Sequence, residues 1–80
     1  MRSFVADRRT GAARGRVKWF NDASGYGFIT PDGGGEDLFV RQTSVVGDGS
    51  SLLRAGYGVE YRWREGGMGL EAIDVLRTLG

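Results

Sequence analysis

The sequence predicts an all-β fold, a small antiparallel barrel of five short strands. Short hydrophobic segments alternate with glycine-rich turns, and the 80 residues include 15 glycines and a single proline. Regular short strands separated by such turns are typical of a small barrel or sandwich rather than of a helical or parallel fold. Helical periodicity can be argued for one segment only, LEAIDVLRTL (70–79), so a helix in place of the last strand is an open alternative.

Five segments carry the strand pattern, in this order: GRVKWFND (15–22), YGFIT (26–30), DLFVRQ (37–42), YGVEYRWRE (57–65) and LEAIDVL (70–76). The PDGGGE segment predicts a tight turn, so the second and third strands should pair as an antiparallel hairpin. Residues 43–56 are predicted to form a long loop. A dimer in which two copies exchange strands through this loop is an open alternative. The GGMG segment predicts the turn before the last strand.

Residues 1–13 have no pattern that would pack and are predicted to be a basic, disordered arm before a domain at 14–80. Residues 1–18 carry six basic groups and one acidic group, whereas the rest carry five basic and nine acidic groups. A basic segment before a mildly acidic body indicates contact with a polyanion. A solvated leader and a remnant of an organelle transit peptide are the alternatives.

The composition argues against several classes of function. The chain contains neither cysteine nor histidine, which removes disulfides, the commonest metal ligands and the commonest general base. No apolar segment approaches the roughly 20 residues that span a bilayer. We therefore expect a cytoplasmic, monomeric protein without a metal, cofactor, membrane contact or small-molecule substrate.

Alternation along the strands separates an inner face from an outer face. The predicted core comprises Val17, Ile29, Leu38, Val40, Val59, Tyr61, Trp63 and some of Leu70, Ile73 and Val75. This core does not need Phe28 or Phe39, so we expect these rings to share an outward face with Tyr26 and Trp19; the alternative is that all four rings fill the barrel. Exposed rings beside cations meet the requirements for binding unpaired nucleic acid, because rings stack on bases and cations hold phosphates.

Two details of this surface need explanation. Strict alternation puts Trp19 on the same side as Val17, so an outward Trp19 requires a bulge or sharp bend in the first strand. Gly25 and Gly27 are expected to keep the surface between the rings low. On the fourth strand, Arg62 and Arg64 either widen the cationic surface or pair with Glu60 and Glu65 on a solvated face, and we expect the pairing.

The segment GRVKWFNDASGYGFITPDGGGEDLFVRQTSV (15–45) resembles a cold-shock domain, with GYGFIT and LFVRQ as its two RNA-binding motifs. The resemblance extends over residues 15–75. It implies a five-stranded OB-fold barrel that binds single-stranded RNA and DNA through the sheet face of strands one to three. It also implies a role as an RNA chaperone or as a regulator of transcription or translation.

At the matching positions, the resemblance implies that Lys18 contacts phosphate and that Trp19 stacks on a base from the solvent side. Phe20 would lie at the edge of the stacking surface. Asn21 and Asp32 are candidates for hydrogen bonds to base edges. The remaining stacking rings would be Tyr26, Phe28 and Phe39.

The sequence departs from the family pattern at four positions. Arg41 replaces a common histidine, and its guanidinium can stack on a base and pair with phosphate. Gln42 stands where many bacterial members have phenylalanine, although other members also have glutamine. Ser24 and Ser50 replace a common lysine and a common aromatic residue, which predicts weaker binding than that of a typical member.

The leading hypothesis is sequence-tolerant binding of single strands without catalysis. The alternative is a protein- or peptide-binding module that uses the same rings, and a weak salt dependence would favour it. An enzyme is disfavoured because the acidic residues around the PDGGGE turn have no partnering base or nucleophile. That turn also lacks the Lys and Ser or Thr of a phosphate-binding loop.

Overall fold

Five strands make up the protein in a computed structural model that describes residues 13–47 and 53–78. They are β1 (Ala13–Asn21), β2 (Tyr26–Pro31), β3 (Leu38–Arg41), β4 (Gly58–Gly66) and β5 (Gly69–Arg77). A 3-10 helix of three residues, Gln42–Ser44, follows β3. The predicted arm lies outside the described residues except for Ala13, where β1 begins. Over the described ranges, no helix has the length and hydrophobicity needed to cross a membrane.

The strands close into a barrel in the order β1-β2-β3-β5-β4, with β1 also paired to β4. The predicted five-stranded barrel is therefore confirmed. The hairpin between β2 and β3 is antiparallel, as predicted, and Phe28 pairs with Phe39 across it. The β3–β5 pair is parallel, in contrast to the other pairs. The segment with the helical alternative forms strand β5.

The barrel interior holds most of the predicted core: Val17, Ile29, Leu38, Val40, Val59, Tyr61, Ala72 and Val75. Leu70 packs against this cluster at its edge, and Ile73 is half-buried. Leu53 belongs to the core at 2% exposure, although the sequence assigned it to a loop. Two adjacent leucines, Leu52 and Leu53, in a predicted loop show no alternation, so the burial of Leu53 could not be inferred from pattern.

A backbone irregularity explains why the inner face of β5 was ambiguous from sequence. Glu60 pairs with Leu76 and Arg62 with Ile73, so β5 has one extra residue in this interval. Asp74 adopts a positive φ of 51° there. Such a bulge breaks the two-residue alternation. As a result, Ala72 and Val75 both point inward although they are three residues apart.

The prediction that Trp63 belongs to the core is wrong, because 57% of this residue is exposed. Alternation does carry it to the same side as Tyr61, which is buried. However, every residue of β4 beyond Tyr61 is exposed, since the barrel interior ends there and the β4–β5 hairpin continues beyond it. Trp63 instead lines an open groove with Leu38, Tyr61 and Leu70.

The predicted partners of the arginines on β4 are also wrong. Arg62 Nη1 lies 3.5 Å from Asp74 Oδ2, and Arg64 Nε lies 3.9 Å from Glu71 Oε1. Glu60 pairs with Arg14 at 2.7 Å. The reason is geometric: Glu65 points to the face opposite Arg64, and residues two apart on a strand are about 6.6 Å apart, whereas cross-strand neighbours lie about 4.5–5.5 Å apart.

Because Leu53 is buried, we expect its truncation to destabilise the protein. Leu53→Ala should lower the free energy of unfolding by about 2–5 kcal/mol, because it leaves a cavity in the core. The matched control is Leu76→Ala, since 48% of Leu76 is exposed. That change should cost no more than about 0.5 kcal/mol. Urea denaturation measures the free energy of unfolding of both variants. Equal losses of that free energy would contradict the role of Leu53 in the core.

Candidate nucleic-acid interface

A bulge in β1 turns Trp19 outward. Val17 pairs with Ile29 and Trp19 pairs with Phe28, so two steps along β1 correspond to one step along β2, with Lys18 as the extra residue. Val17 is therefore buried at 2% exposure, whereas Trp19 is 40% exposed. The bulge that the sequence required is thus present, and it reverses the alternation of β1 at this point.

Cross-strand pairing brings four rings together on the outer face of β1, β2 and β3. Trp19 lies 5.7 Å from Tyr26 and 5.4 Å from Phe28, measured between ring centroids. Phe39 lies 5.4 Å from Tyr26 and 5.6 Å from Phe28. The contacts are tilted or edge-to-face, the arrangements that aromatic pairs prefer. We call Trp19, Tyr26, Phe28 and Phe39 the ring cluster.

The four rings are unequally exposed. Trp19 and Tyr26 are 40% and 38% exposed, and Phe28 is half-buried. Phe39, expected to be exposed, is only 6% exposed. Phe39 is covered by the rings of Tyr26 and Phe28 and by the Arg41 guanidinium, whose Cζ lies 5.0 Å from the centroid of the Phe39 ring. Neither Phe28 nor Phe39 belongs to the core inside the barrel, so Phe39 supports the exposed rings from the outer face.

Two residues predicted for this surface face the interior instead. Phe20 follows the bulge and packs against the core rather than extending the ring cluster. Gly27 is buried opposite the rings, and a Cβ there would come within 2.7 Å of the Cα of Phe20. Gly27 thus permits close packing of β1 on β2, and it does not shape the surface between the rings. Gly25 has a φ of +77°, which serves the turn before β2.

Lys18, the predicted phosphate contact, is paired with a carboxylate. Its Nζ lies 2.9 Å from Oδ2 of Asp37. The hydrogen bond and positive charge of Lys18 lower the pKa of Asp37, with a smaller contribution from Thr30, while partial desolvation acts in the opposite direction. A phosphate that binds Lys18 must therefore compete with this carboxylate.

Arg41 also has an acidic partner, one that sequence reasoning missed. Its Nε lies 3.2 Å from Oε2 of Glu71, which is 7% exposed. A glutamate in an alternating strand normally indicates a solvent-facing position, so the pattern contained no signal of this burial. Beside Arg41, a cleft of about 300 Å³ is lined by residues that include Tyr26, Phe39 and Gln42.

The two candidates for base-edge hydrogen bonds lie in different places. Asn21 is at the end of β1, and its Oδ1 accepts a hydrogen bond from the backbone N–H of Ser24. It therefore stabilises the turn that leads into Tyr26. Asp32 lines a groove together with Tyr61 and Trp63, and the lining of that groove includes none of the four rings. Ser50 lies outside the described residues.

Comparison with known proteins identifies related sequences and a related fold. A family model described as the 'Cold-shock' DNA-binding domain matches residues 13–78. The cold shock-like protein CspA of Stigmatella aurantiaca is 51% identical over 63 residues, which cover 79% of this chain and 93% of that protein. Cold shock-like protein CspD of Escherichia coli K12 is 46% identical over 63 residues, or 79% of this chain and 85% of CspD.

Two other proteins match over only part of their length. Glycine-rich protein 2 of Nicotiana sylvestris is 47% identical over 72 residues, covering 89% of this chain but 34% of that protein. The solved structure of drosophila Unr CSD456 superimposes with a TM-score of 0.69 at 22% identity. The match covers 84% of this chain and 26% of that one, and it supports the fold alone.

The Lys18–Asp37 pair makes a prediction about titration. The Asp37 pKa should lie below its ordinary value of 3.8 and rise towards it in Lys18→Met. Because folding lowers this pKa, the stabilisation is present above the unfolded-state pKa and is lost as the pH falls through the folded-state value. NMR titration of the carboxyl carbons measures the Asp37 pKa in the wild-type protein and in Lys18→Met. Arg14→Met is the charge-matched control, and an unchanged Asp37 pKa in Lys18→Met would contradict the assignment.

Proposed function

This chain belongs to the cold-shock DNA-binding domain family, and we propose from this that it binds single-stranded RNA and DNA without catalysing a reaction. The observation that carries the proposal is the ring cluster on the outer face, in which two rings are about 40% exposed. Exposed rings are costly for a small protein unless they have a partner. Unpaired bases have the flat apolar faces that such rings bind.

Stacking on the ring cluster supplies the main attraction. Trp19 and Tyr26 present the accessible ring surfaces, while Phe28 and Phe39 support them from the same face. A stacked base contributes about 1–3 kcal/mol, and every base has a face that can stack, so binding tolerates many sequences. The cleft beside Tyr26, Arg41 and Gln42 offers polar groups at the edge of this surface.

Phosphate contacts contribute less than the number of cations suggests. Lys18 and Arg41 each have a carboxylate partner, at 2.9 Å and 3.2 Å. At Lys18, exchange of the partly exposed Asp37 carboxylate for a phosphate gains little electrostatic energy. We therefore expect a modest salt dependence, since each phosphate contact on a single strand changes the log–log slope by about 0.7.

Capture of open strands suffices for an RNA chaperone. A protein that binds unpaired bases shifts weak secondary structure towards the open form in proportion to its affinity for the single strand. This passive mechanism needs no nucleotide cofactor. The same capture would expose or cover sites on a transcript, which is the basis of a role in transcription or translation.

Alanine substitution of the two tryptophans tests the proposed function. Trp19→Ala should weaken binding of a fluorescein-labelled oligothymidine by about fivefold to a hundredfold, corresponding to loss of about 1–3 kcal/mol of stacking. Trp63→Ala is the matched control, because Trp63 is 57% exposed but lies outside the ring cluster. It should leave the affinity unchanged. Fluorescence anisotropy at low and moderate salt measures both.

Two outcomes would refute this assignment. If the wild-type protein does not bind the oligothymidine even at low salt, the ring cluster has another partner and peptide binding becomes the better hypothesis. If Trp19→Ala and Trp63→Ala weaken binding equally, the stacking surface is not the ring cluster. Thermal unfolding of each variant distinguishes a loss of binding from a loss of fold.

A further inference from the structure

Glu71 is the one charged residue that is buried within residues 13–47 and 53–78, with 7% exposure. It lies on the outer face of the barrel, not in the core. Its cross-strand partners are Phe39 on β3 and Arg64 on β4. A buried carboxylate is unfavourable unless cations and hydrogen bonds compensate for its lost hydration. The surroundings of Glu71 therefore have to supply those cations.

Two arginines supply them from opposite sides. Arg41 Nε lies 3.2 Å from Oε2 of Glu71, and Arg64 Nε lies 3.9 Å from Oε1. The arginine side chains remain exposed, at 55% and 63%, while that of Glu71 is 9% exposed. Both ion pairs use Nε, and neither guanidinium has another hydrogen bond or ion pair to the described residues. The Nη groups are the donors that remain for a further acceptor.

This cluster continues in line from the rings. Cross-strand pairing places Trp19, Phe28, Phe39, Glu71 and Arg64 in one row across β1, β2, β3, β5 and β4. With about 4.8 Å between neighbouring strands, the row extends about 19 Å along the barrel surface. Arg64 therefore lies at the end of the row opposite Trp19, while Arg41 lies beside the row, over the ring of Phe39 and against Glu71.

The charge balance favours the arginine end for phosphate. Lys18 and Asp37 form a neutral pair, and the Asp37 side chain is 31% exposed. Arg41, Arg64 and Glu71 together carry one net positive charge. The buried carboxylate is covered by the guanidinium groups, so an incoming phosphate would meet donors without displacing it.

We propose that Arg41 and Arg64 form a phosphate subsite for the strand that leaves the ring cluster, and that Glu71 is the positioning residue that holds them. The inference rests on the proposed function and extends the interface over β5 and β4. The hydrogen bond from Arg41 Nε to Glu71 directs the Nη groups of Arg41, while the looser ion pair at 3.9 Å keeps Arg64 near the same carboxylate. Fixing a guanidinium before binding also reduces the entropy lost when the phosphate is bound.

Removal of Arg64 tests the subsite. In Arg64→Ala, the log–log salt slope for a long oligothymidine should become shallower by about 0.7, and affinity at 50 mM salt should fall by about five- to tenfold. An oligothymidine too short to extend beyond the ring cluster should show no difference. Anisotropy titrations over a salt series, with thermal unfolding of each variant, provide these values.

Arg14→Ala is the matched control. Arg14 is exposed and paired with a glutamate, Glu60, and removing it changes the net charge equally. It lines two grooves whose linings include none of the four rings. It should leave the slope unchanged. Equal effects of Arg14→Ala and Arg64→Ala would overturn the subsite, whereas absence of wild-type binding would refute the proposed function itself.

A double-mutant cycle tests the role of Glu71. If Glu71 positions Arg64, then Arg64→Ala should have little effect on affinity in a Glu71→Leu background, because Arg64 is no longer held. If Glu71 only neutralises charge, Arg64→Ala should cost more affinity in that background, because the arginine charge is then uncompensated. The second result would overturn the positioning role.

Discussion

The bulge at Lys18 is the constraint on which the outer face depends. Without the extra residue in β1, the alternation that buries Val17 would also turn Trp19 inward. With it, β1 contributes to the core before the bulge and to the surface at Trp19. Phe20, one residue later, returns to the core. One local irregularity therefore connects the stability of the barrel to its binding surface.

A second bulge, in β5 at Asp74, also changes which side chains face inward. The positive φ of Asp74 allows Ala72 and Val75 both to face inward, which keeps β5 packed along its length. Before that bulge, Glu71 points to the outer face between β3 and β4. The parallel pairing of β3 and β5 sets it beside Phe39. The two bulges thus place aromatic and charged side chains from all five strands in one row that follows the curved outer face of the barrel.

Charge compensation distinguishes this surface from a simple basic patch. Lys18, Arg41 and Arg64 all face carboxylates at 2.9–3.9 Å. The consequences differ because an exposed carboxylate competes with a ligand, whereas a buried one orients its partners. In the proposed mode of binding, the rings therefore supply the attraction, and a small number of oriented cations set the path of the strand. Arg41 in place of the family's common histidine fits this arrangement, because its planar guanidinium contacts both a ring and a carboxylate.

Local pattern was sufficient to predict the five strands, the β2–β3 hairpin and the outward direction of most of the rings, because alternation and turn chemistry depend on neighbouring residues. The motif resemblance added the OB-fold type of the barrel and the outward direction of Trp19, which alternation allows only if β1 contains a bulge. Three features depended on the tertiary structure alone: the burial of Leu53 and Glu71, and the exposure of Trp63. Burial is determined by where the barrel ends and by which strand lies alongside, and those contacts join residues that are distant in the chain.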